Sequence, residues 1–173
     1  YLVWDALFPS LRLLGKGSRA FLHGQTSSNF TSVNDSSLVR TCWLSPTGRL
    51  RAVLEVQLNA IGADIVVLCG QINELVEGFE KVIFPSDQVH IDSIYETRRV
   101  QQMSFNESWR ELPITWIKPA DPLLDEFKNC RAANSTEIEN WRLKQGLPYV
   151  LKELNGKTNP FELGLVDLID LDK

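Results

Sequence analysis

The sequence is poor in the residues that build disulfide or metal-bound frameworks. It contains three cysteines, two histidines and one methionine in 173 residues. Cys42, Cys69 and Cys130 are widely spaced and odd in number, so a disulfide framework is not expected and a reducing compartment is favoured. Neither a C-x-x-C nor an H-x-x-x-H pair occurs, and the cysteine spacing matches no metal or iron–sulfur site. We therefore expect no metal site and no resident cluster.

The sequence also shows no large charge imbalance and no long apolar segment. Its 18 basic and 22 acidic side chains give a formal net charge of −4, whereas a nucleic-acid-binding face needs an excess of lysine and arginine. No apolar run approaches the roughly 18 residues of a membrane span, and no signal or transit segment is visible. Glycine-rich phosphate and dinucleotide loops are absent from the sequence. We therefore expect neither nucleic acid nor a membrane as a partner.

Two clear apolar periodicities are present. In residues 49–58 apolar side chains alternate with charged or polar ones, and this period of two predicts a strand with one face in water. In residues 72–83 an apolar side chain recurs every three or four positions, which predicts an amphipathic helix. Pro85 is expected to end that helix, because proline cannot donate the next helical hydrogen bond.

Capping and glycine signals predict two further helices. One covers residues 18–28, with its first serine as the N-cap. Gly24 inside it lowers helix stability by about 1 kcal/mol relative to alanine. A glycine at this position would suit close approach of a ligand or of another backbone. The other helix begins at Asn134 or Thr136, with Glu137 or Glu139, respectively, three residues further on. It is expected to end at Gly146, since glycine commonly follows the last helical turn.

Short strands complete the predicted element order, at residues 11–14, 39–44, 65–68 and 89–91. A P-T-G turn at residues 46–48 joins two strands as a hairpin. Residues 93–130 show no period and contain three prolines, so we place a connection or domain junction there. Antiparallel hairpins with interspersed helices predict an α+β fold, in which the helices lie on one face of the sheet.

Four sequence motifs resemble one known family. R-A-F-L-H-G-Q-T-S-S-N-F at residues 19–30 resembles the family's early helix, and L-S-P-T-G-R-L-R at residues 44–51 resembles its following hairpin. W-R-L-x-x-G-x-P at residues 141–148 and N-P-F-E-L-G-L at residues 159–165 resemble its late core segment. Lys173 then matches the lysine that opens the family's K-G-C-Y-x-G-Q-E signature. The family is the YgfZ-type folate-binding proteins, which are related to the T-protein of the glycine cleavage system.

The resemblance implies a glycine cleavage T-protein-like folate-binding fold, with tetrahydrofolate or a one-carbon derivative as cofactor. It implies a folate-binding-type subdomain over residues 1–92 and a second subdomain over residues 93–173, with the family's C-terminal barrel absent. The related aminomethyltransferases carry an essential aspartate on the strand after the P-x-G turn, where this sequence has Ala52 and Val53. An aliphatic side chain cannot hydrogen-bond the folate nitrogen at which the one-carbon unit reacts. Transferase chemistry is therefore not expected.

A pterin needs flat apolar walls and a few hydrogen-bonding groups, and its glutamate tail needs cations. By this chemistry the candidate folate-binding residues are two tryptophans, three arginines and a glutamate: Trp43, Arg49, Arg51, Trp141, Arg142 and Glu162. The tryptophans offer walls, the arginines offer positive charge, and the glutamate accepts from the pterin amino group. The alternatives are core tryptophans, arginines that keep a surface hydrated, and a glutamate that caps a turn. No catalytic residue and no metal ligand is assigned.

The first functional hypothesis is a tetrahydrofolate-binding accessory protein that helps assemble or repair iron–sulfur proteins, as the resemblance implies. It would act as a monomer, with iron–sulfur client or scaffold proteins as partners. The alternative is a tetrahydrofolate-dependent one-carbon (aminomethyl) transferase, and a third possibility is a folate-free interaction domain. The resemblance places a eukaryotic member in the plastid stroma or mitochondrial matrix, and a bacterial one in the cytoplasm.

Overall fold

Strands make up most of the regular structure. The computed structural model describes residues 1–149 and 153–173, and residues 150–152 of the predicted second subdomain lie outside the described residues. In the described ranges there are seven strands and three α-helices, in the order β1 (Leu2–Leu14), α1 (Ser18–Gln25), β2 (Leu38–Leu44), β3 (Leu50–Asn59), β4 (Gly62–Cys69), α2 (Ile72–Glu80), β5 (His90–Met103), β6 (Ile114–Ile117), β7 (Arg131–Ala132) and α3 (Ser135–Gln145). The predicted α+β class is confirmed.

The chain forms two compact units, and the long strands β1 and β5 contribute residues to both. The larger unit contains Pro9–Tyr95 and Tyr149–Lys173, and the smaller contains Tyr1–Phe8 and Glu96–Pro148. The N-P-F-E-L-G-L segment at residues 159–165 therefore belongs with the early strands, whereas the sequence grouped it with the second subdomain.

The larger unit contains an antiparallel sheet in the order β2–β3–β4–β1. β2 and β3 form the predicted hairpin, with Cys42 opposite Val53. Its turn contains Gly48 at a φ of 77°, a backbone conformation that glycine adopts without steric cost. β4 then pairs with β1, placing Ile65 opposite Leu11. Local turn chemistry thus sets the hairpin that the sequence predicted.

In this unit α1 and α2 lie on the same face of the sheet. Phe21 of α1 and Phe79 of α2 belong to the same buried cluster as the strand residues Leu54 and Ile65. The two phenylalanine rings meet edge-on, with 5.1 Å between their centroids. Burying one apolar stripe from each helix on the sheet provides most of the driving force for this arrangement. Within the larger unit, the prediction that the helices share one face is confirmed.

The prediction that one face of β3 lies in water is wrong for the central part of the strand. Val53 and Glu55 are both 0% exposed. Nε of Arg40 on β2 donates to the Glu55 carboxylate at 3.0 Å, and burial of a carboxylate requires such a partner. Arg51 does lie on a hydrated part of the strand, with 38% of its side chain exposed. The alternation of polar residues was correct, but their pairing across strands replaces water on much of this face.

The helices of the larger unit are shorter than predicted. α1 ends at Gln25 and α2 ends at Glu80. Ser18 is the first helical residue rather than the N-cap, and its hydroxyl donates to the carbonyl of Gly15 at 2.7 Å. Pro85 begins a separate 3-10 turn, so it does not itself end α2. The apolar spacing continues beyond the last helical residues, and periodicity alone therefore overestimated the helix lengths.

The smaller unit contains the part of the chain that showed no sequence period. β6 pairs antiparallel with β5, with Arg98 opposite Ile117. β7 pairs in parallel with the start of β1, where Leu2 lies opposite Arg131. These pairings join residues that are far apart in sequence, which explains why a local pattern did not predict them.

α3, also in the smaller unit, begins and ends at two of the predicted residues. The Asn134 side chain accepts from the backbone N–H of Glu137 at 2.9 Å, and the Glu137 carboxylate accepts from the N–H of Asn134 at 2.9 Å. This is a capping box, in which each side chain satisfies the other residue's backbone donor. Gly146 ends the helix at a φ of 66°.

Across the part of the chain that the structure describes, no helix has the length and apolar character needed to cross a membrane.

Candidate functional site

A pocket of about 510 Å³ lies in the larger unit, between the end of α1, the end of β2 and one face of α2. This volume falls within the range of about 300–1,000 Å³ that is typical of small-molecule sites. We call it the tryptophan pocket. Its lining residues are Gly24, Gln25, Thr26, Ser27, Trp43, Leu44, Ser45, Pro46, Arg51, Glu74, Glu77, Gly78, Lys81 and Val82.

Trp43 forms a fixed part of the pocket wall. Its side chain is almost fully buried, at 5% exposure, and its ring meets that of Phe79 nearly at right angles, with 6.1 Å between centroids. A Cβ added to Gly78 would lie 2.3 Å from Cζ2 of Trp43. Residue 78 must therefore lack a side chain for the indole to lie against α2 as it does.

Arg51 lies over the indole of Trp43. The guanidinium carbon is 4.5 Å from the ring centre, which is the geometry of a cation–π contact. Nη2 of Arg51 is also 3.9 Å from a carboxylate oxygen of Glu74. Both side chains of that ion pair are well exposed, so it contributes little to stability. Arg51 is thus positioned by an aromatic ring while its remaining N–H donors stay accessible to a ligand.

α2 and its C-cap residue add three charged side chains to the same pocket. Glu74, Glu77 and Lys81 line it, and their spacing along the helix places them on one face. With Arg51, the pocket therefore offers two cations and two carboxylates. Such a mixed set suits a ligand that carries both acidic groups and N–H donors.

The wall that follows α1 is fastened by hydrogen bonds from three directions. The N–H of Ser27 donates to the carbonyl of Cys42 at 2.9 Å. The Ser27 hydroxyl accepts from the N–H of Cys42 at 2.9 Å and donates to the carbonyl of Leu168 at 2.6 Å. The N–H of Asp170 in turn donates to the carbonyl of Ser27 at 2.8 Å. This wall is therefore held in place without a ligand.

Lys173 lies behind the same wall. Its ammonium group donates to the carbonyl oxygen of Thr26. Burial lowers the pKa of Lys173, and the charge of Asp170 opposes that shift. The lysine that matched the family signature is thus placed next to a residue that lines the tryptophan pocket.

Ala52 and Val53, the strand positions that the sequence resemblance aligned with an aspartate, are enclosed. Ala52 and Val53 are both 0% exposed. A Cβ added to Gly70 would lie 2.8 Å from that of Ala52, so the backbone approaches closely at this point. A carboxylate in this place would be buried at high cost.

Two of the six candidate residues meet in the tryptophan pocket, namely Trp43 and Arg51. Arg49 lies in the preceding hairpin turn, where its backbone N–H and carbonyl bond to Ser45. It does not line this pocket. The alternation placed Arg49 and Arg51 on the same strand face, but only Arg51 lines the tryptophan pocket.

Trp141 and Arg142 lie in the smaller unit, on α3. Trp141 is 0% exposed, and its Nε1–H donates to the carbonyl of Ser104 at 2.7 Å. Arg142 is 3% exposed and donates twice to the Glu139 carboxylate, at 2.6 Å for each contact. This geometry favours the structural interpretation of both residues over a pterin contact.

Glu162 lies on the surface of the larger unit and caps a turn. Its carboxylate accepts from the N–H of Asn159 at 2.8 Å, and its own N–H donates to the Asn159 side chain at 3.1 Å. This is the capping role that was the alternative for this residue. Glu162 does not line the tryptophan pocket.

No family model matches this sequence, and no curated protein matches it. Among solved structures, the chain is similar to the glycine cleavage system aminomethyltransferase T from Bartonella henselae, with a TM-score of 0.46 and 11% sequence identity. The match covers 58% of this chain and 28% of that chain. The chain therefore spans well under half of the length of that protein.

Sequence reasoning missed the contribution of α2 to the pocket. Glu77, Gly78 and Lys81 were read only as part of an amphipathic helix. The available signal was Gly78, since a glycine inside a strong apolar stripe usually marks a close packing contact.

Within residues 1–149 and 153–173, no group of three or more histidine, cysteine, aspartate or glutamate side chains is placed to hold a metal ion.

Proposed function

We propose that the chain binds a reduced folate in the tryptophan pocket and acts as an accessory protein in iron–sulfur protein assembly or repair, without one-carbon transfer. The observation that supports folate binding is a pocket of about 510 Å³ in which Arg51 is held over Trp43 and Lys81 caps the end of the facing helix. The sequence resemblance to YgfZ-type proteins supports the choice of folate and the accessory role.

The charges of the pocket match the two kinds of polar group in a folate. Arg51 and Lys81 would pair with the carboxylates of the glutamate tail, since charge-assisted hydrogen bonds to carboxylates are among the stronger ones. Glu74 and Glu77 would accept hydrogen bonds from N–H donors of the ligand. Trp43 acts by positioning Arg51 and not as a stacking surface, because the ring is nearly buried.

A transferase role is the less favoured alternative. The resemblance implies that the transferases carry their essential aspartate at the strand positions of Ala52 and Val53, and both of these residues are aliphatic and buried. When bound, the folate would supply a one-carbon carrier, and the residues of this chain would bind and orient it. An assay of aminomethyl transfer with this protein should give no turnover; measurable turnover would favour the transferase instead.

Binding is tested by isothermal titration calorimetry of the intact chain with 5-formyltetrahydrofolate. We expect saturable binding by the wild type and at least about tenfold weaker binding by Arg51→Gln, because a hydrogen bond to a charged group contributes roughly 1.5–3 kcal/mol. Arg49→Gln is the matched control, since Arg49 is close in sequence but does not line the pocket. Absence of binding at millimolar ligand, or equal weakening by both variants, would refute the proposed site.

The accessory role is tested separately in cells of the source organism that lack the chain. We propose iron–sulfur client or scaffold proteins as partners, a monomeric protein, and a plastid, mitochondrial or bacterial cytoplasmic location. The activity of iron–sulfur enzymes should fall in such cells and should be restored by the wild type but not by Arg51→Gln. Unchanged iron–sulfur enzyme activity after deletion would remove this role while leaving folate binding intact.

A further inference from the structure

A second pocket lies directly beside the tryptophan pocket. It measures about 560 Å³ and shares Gly24, Gln25 and Val82 with its neighbour. Its far side is lined by the turn that follows α2, including Phe84 and Asp87. We call it the phenylalanine pocket. The two pockets therefore meet across the last turn of α1.

Gly24 forms the boundary between them, and no protein contact explains why it is a glycine. A Cβ added there would have no heavy atom within 4 Å, in contrast to Gly78, where it would strike Trp43. Glycine is unfavourable inside a helix, and α1 gains nothing in packing from this one. What the missing side chain does leave is open space where the two pockets meet.

The two pockets differ in the aromatic surface that they offer. In the tryptophan pocket the indole of Trp43 is 5% exposed and is covered by Arg51. In the phenylalanine pocket the Phe84 side chain is 61% exposed. A flat ring entering from solvent would therefore find an accessible aromatic face at Phe84 and none at Trp43.

The pockets also differ in charge. Arg51 and Lys81 line the tryptophan pocket, whereas the charged residue that lines the phenylalanine pocket is Asp87. Its carboxylate accepts from the backbone N–H of Phe84 at 2.7 Å, which fixes its orientation beside that ring. A carboxylate can accept several hydrogen bonds. The tryptophan pocket thus offers two cations to an anionic group, beside its two carboxylates, and a ring with N–H donors at its edge suits the phenylalanine pocket.

We propose that the folate lies across both pockets. Its glutamate tail binds between Arg51 and Lys81, its p-aminobenzoyl ring crosses α1 at Gly24, and its pterin packs on Phe84 with its donor edge towards Asp87. This proposal rests on the proposed function and adds the direction and extent of the ligand. It makes Gly24 and Phe84 residues that determine which ligands bind.

The test uses calorimetry of the intact chain with two ligands, 5-formyltetrahydrofolate and p-aminobenzoyl-glutamate, the second of which lacks the pterin. The variants are Gly24→Leu, which places a side chain where the two pockets meet, and Phe84→Ala, which removes the exposed ring. Phe161→Ala is the matched control, because Phe161 is 56% exposed and lines neither pocket. Circular dichroism checks that each variant keeps the wild-type fold.

We expect Gly24→Leu and Phe84→Ala to weaken binding of 5-formyltetrahydrofolate by about tenfold or more, the size of effect typical of losing an aromatic or steric fit. Phe84→Ala should leave the affinity for p-aminobenzoyl-glutamate within about twofold of wild type, and Phe161→Ala should change neither affinity. If Phe84→Ala and Gly24→Leu bind 5-formyltetrahydrofolate as the wild type does, the two-pocket arrangement is overturned while the folate site at Arg51 stands. If the wild type binds neither ligand, the proposed function is overturned as well.

Discussion

Gly78 and Trp43 are in closer contact than any side chain at residue 78 would allow. A Cβ at that position would lie 2.3 Å from Cζ2 and 2.7 Å from Cη2 of the indole. This contact sets the position of the ring on which Arg51 lies. The position of Arg51 in the candidate site therefore depends on Gly78. This glycine is needed for the space it leaves, since its own backbone conformation is ordinary for a helix.

Gly78→Ala should destabilise the protein despite the better helix propensity of alanine. The propensity gain is about 1 kcal/mol, whereas forcing an extra methyl into a packed region costs about 1–3 kcal/mol. We expect a net loss of about 1 kcal/mol in urea unfolding, together with a changed near-ultraviolet circular dichroism spectrum, to which Trp43 contributes as one of five tryptophans. A variant as stable as the wild type, with that signal unchanged, would show that the contact yields at little cost.

Gly24→Ala is the matched substitution in the other helix, and the opposite sign is expected. A Cβ at residue 24 meets nothing within 4 Å, so only the propensity gain of about 0.5–1 kcal/mol applies. The midpoint of urea unfolding should rise accordingly. A fall would mean that α1 needs glycine for a reason that its surroundings do not show.

Ala52→Asp introduces a carboxylate into the buried part of β3 and should destabilise the protein. The position is 0% exposed and closely approached by Gly70, and an unpaired buried charge costs about 3–5 kcal/mol. We expect severe destabilisation or failure to accumulate folded protein. Ala60→Asp, at an exposed position, is the control and should unfold close to the wild-type midpoint; equal stability of the two variants would contradict the enclosed geometry.

Tyr95 should make the protein sensitive to alkali. Burial, followed by its hydrogen bond to the Asp64 carboxylate at 2.7 Å, raises the pKa of Tyr95 well above its usual value. The phenol stays protonated in the fold while the unfolded chain ionises near pH 10. Stability linked to Tyr95 is therefore fully present below about pH 10 and is lost as pH rises above it.

The measurement is urea unfolding between about pH 8 and pH 12 on wild type and Tyr95→Phe. The variant should lose stability less steeply above about pH 10, since it has no phenol to ionise. The difference between their absorbance titrations isolates the Tyr95 step, which should occur above that pH. Parallel stability curves for the two proteins would count against a shifted phenol.

The sequence predicted those elements that local chemistry determines. The hairpin around Gly48, the cap at Asn134 and the stop at Gly146 each follow from a few neighbouring residues, and the structure contains all three. The helix on which Leu75 and Phe79 are buried was equally clear from its apolar spacing. Where a single turn or a single helix face determines the local structure, the sequence alone predicted the element correctly.

What could not be predicted depends on contacts between distant residues. Glu55 was expected on a hydrated strand face, but it pairs with Arg40 on the neighbouring strand. Trp43 and Arg51 were candidates for the site, whereas Lys81 was not, because only the folded sheet brings α2 beside the hairpin. In the sequence, a charged strand residue that faces water cannot be distinguished from one that pairs with another side chain.

The hydrogen bond from Ser27 to Leu168 joins residues 141 positions apart. Contacts of such separation form late in folding, because closing a long loop costs entropy before the contact is gained. The early strands and helices can associate first, but the wall containing Ser27 is completed only when the last segment docks. In a refolding experiment, binding of the proposed ligand should therefore lag behind the recovery of secondary structure.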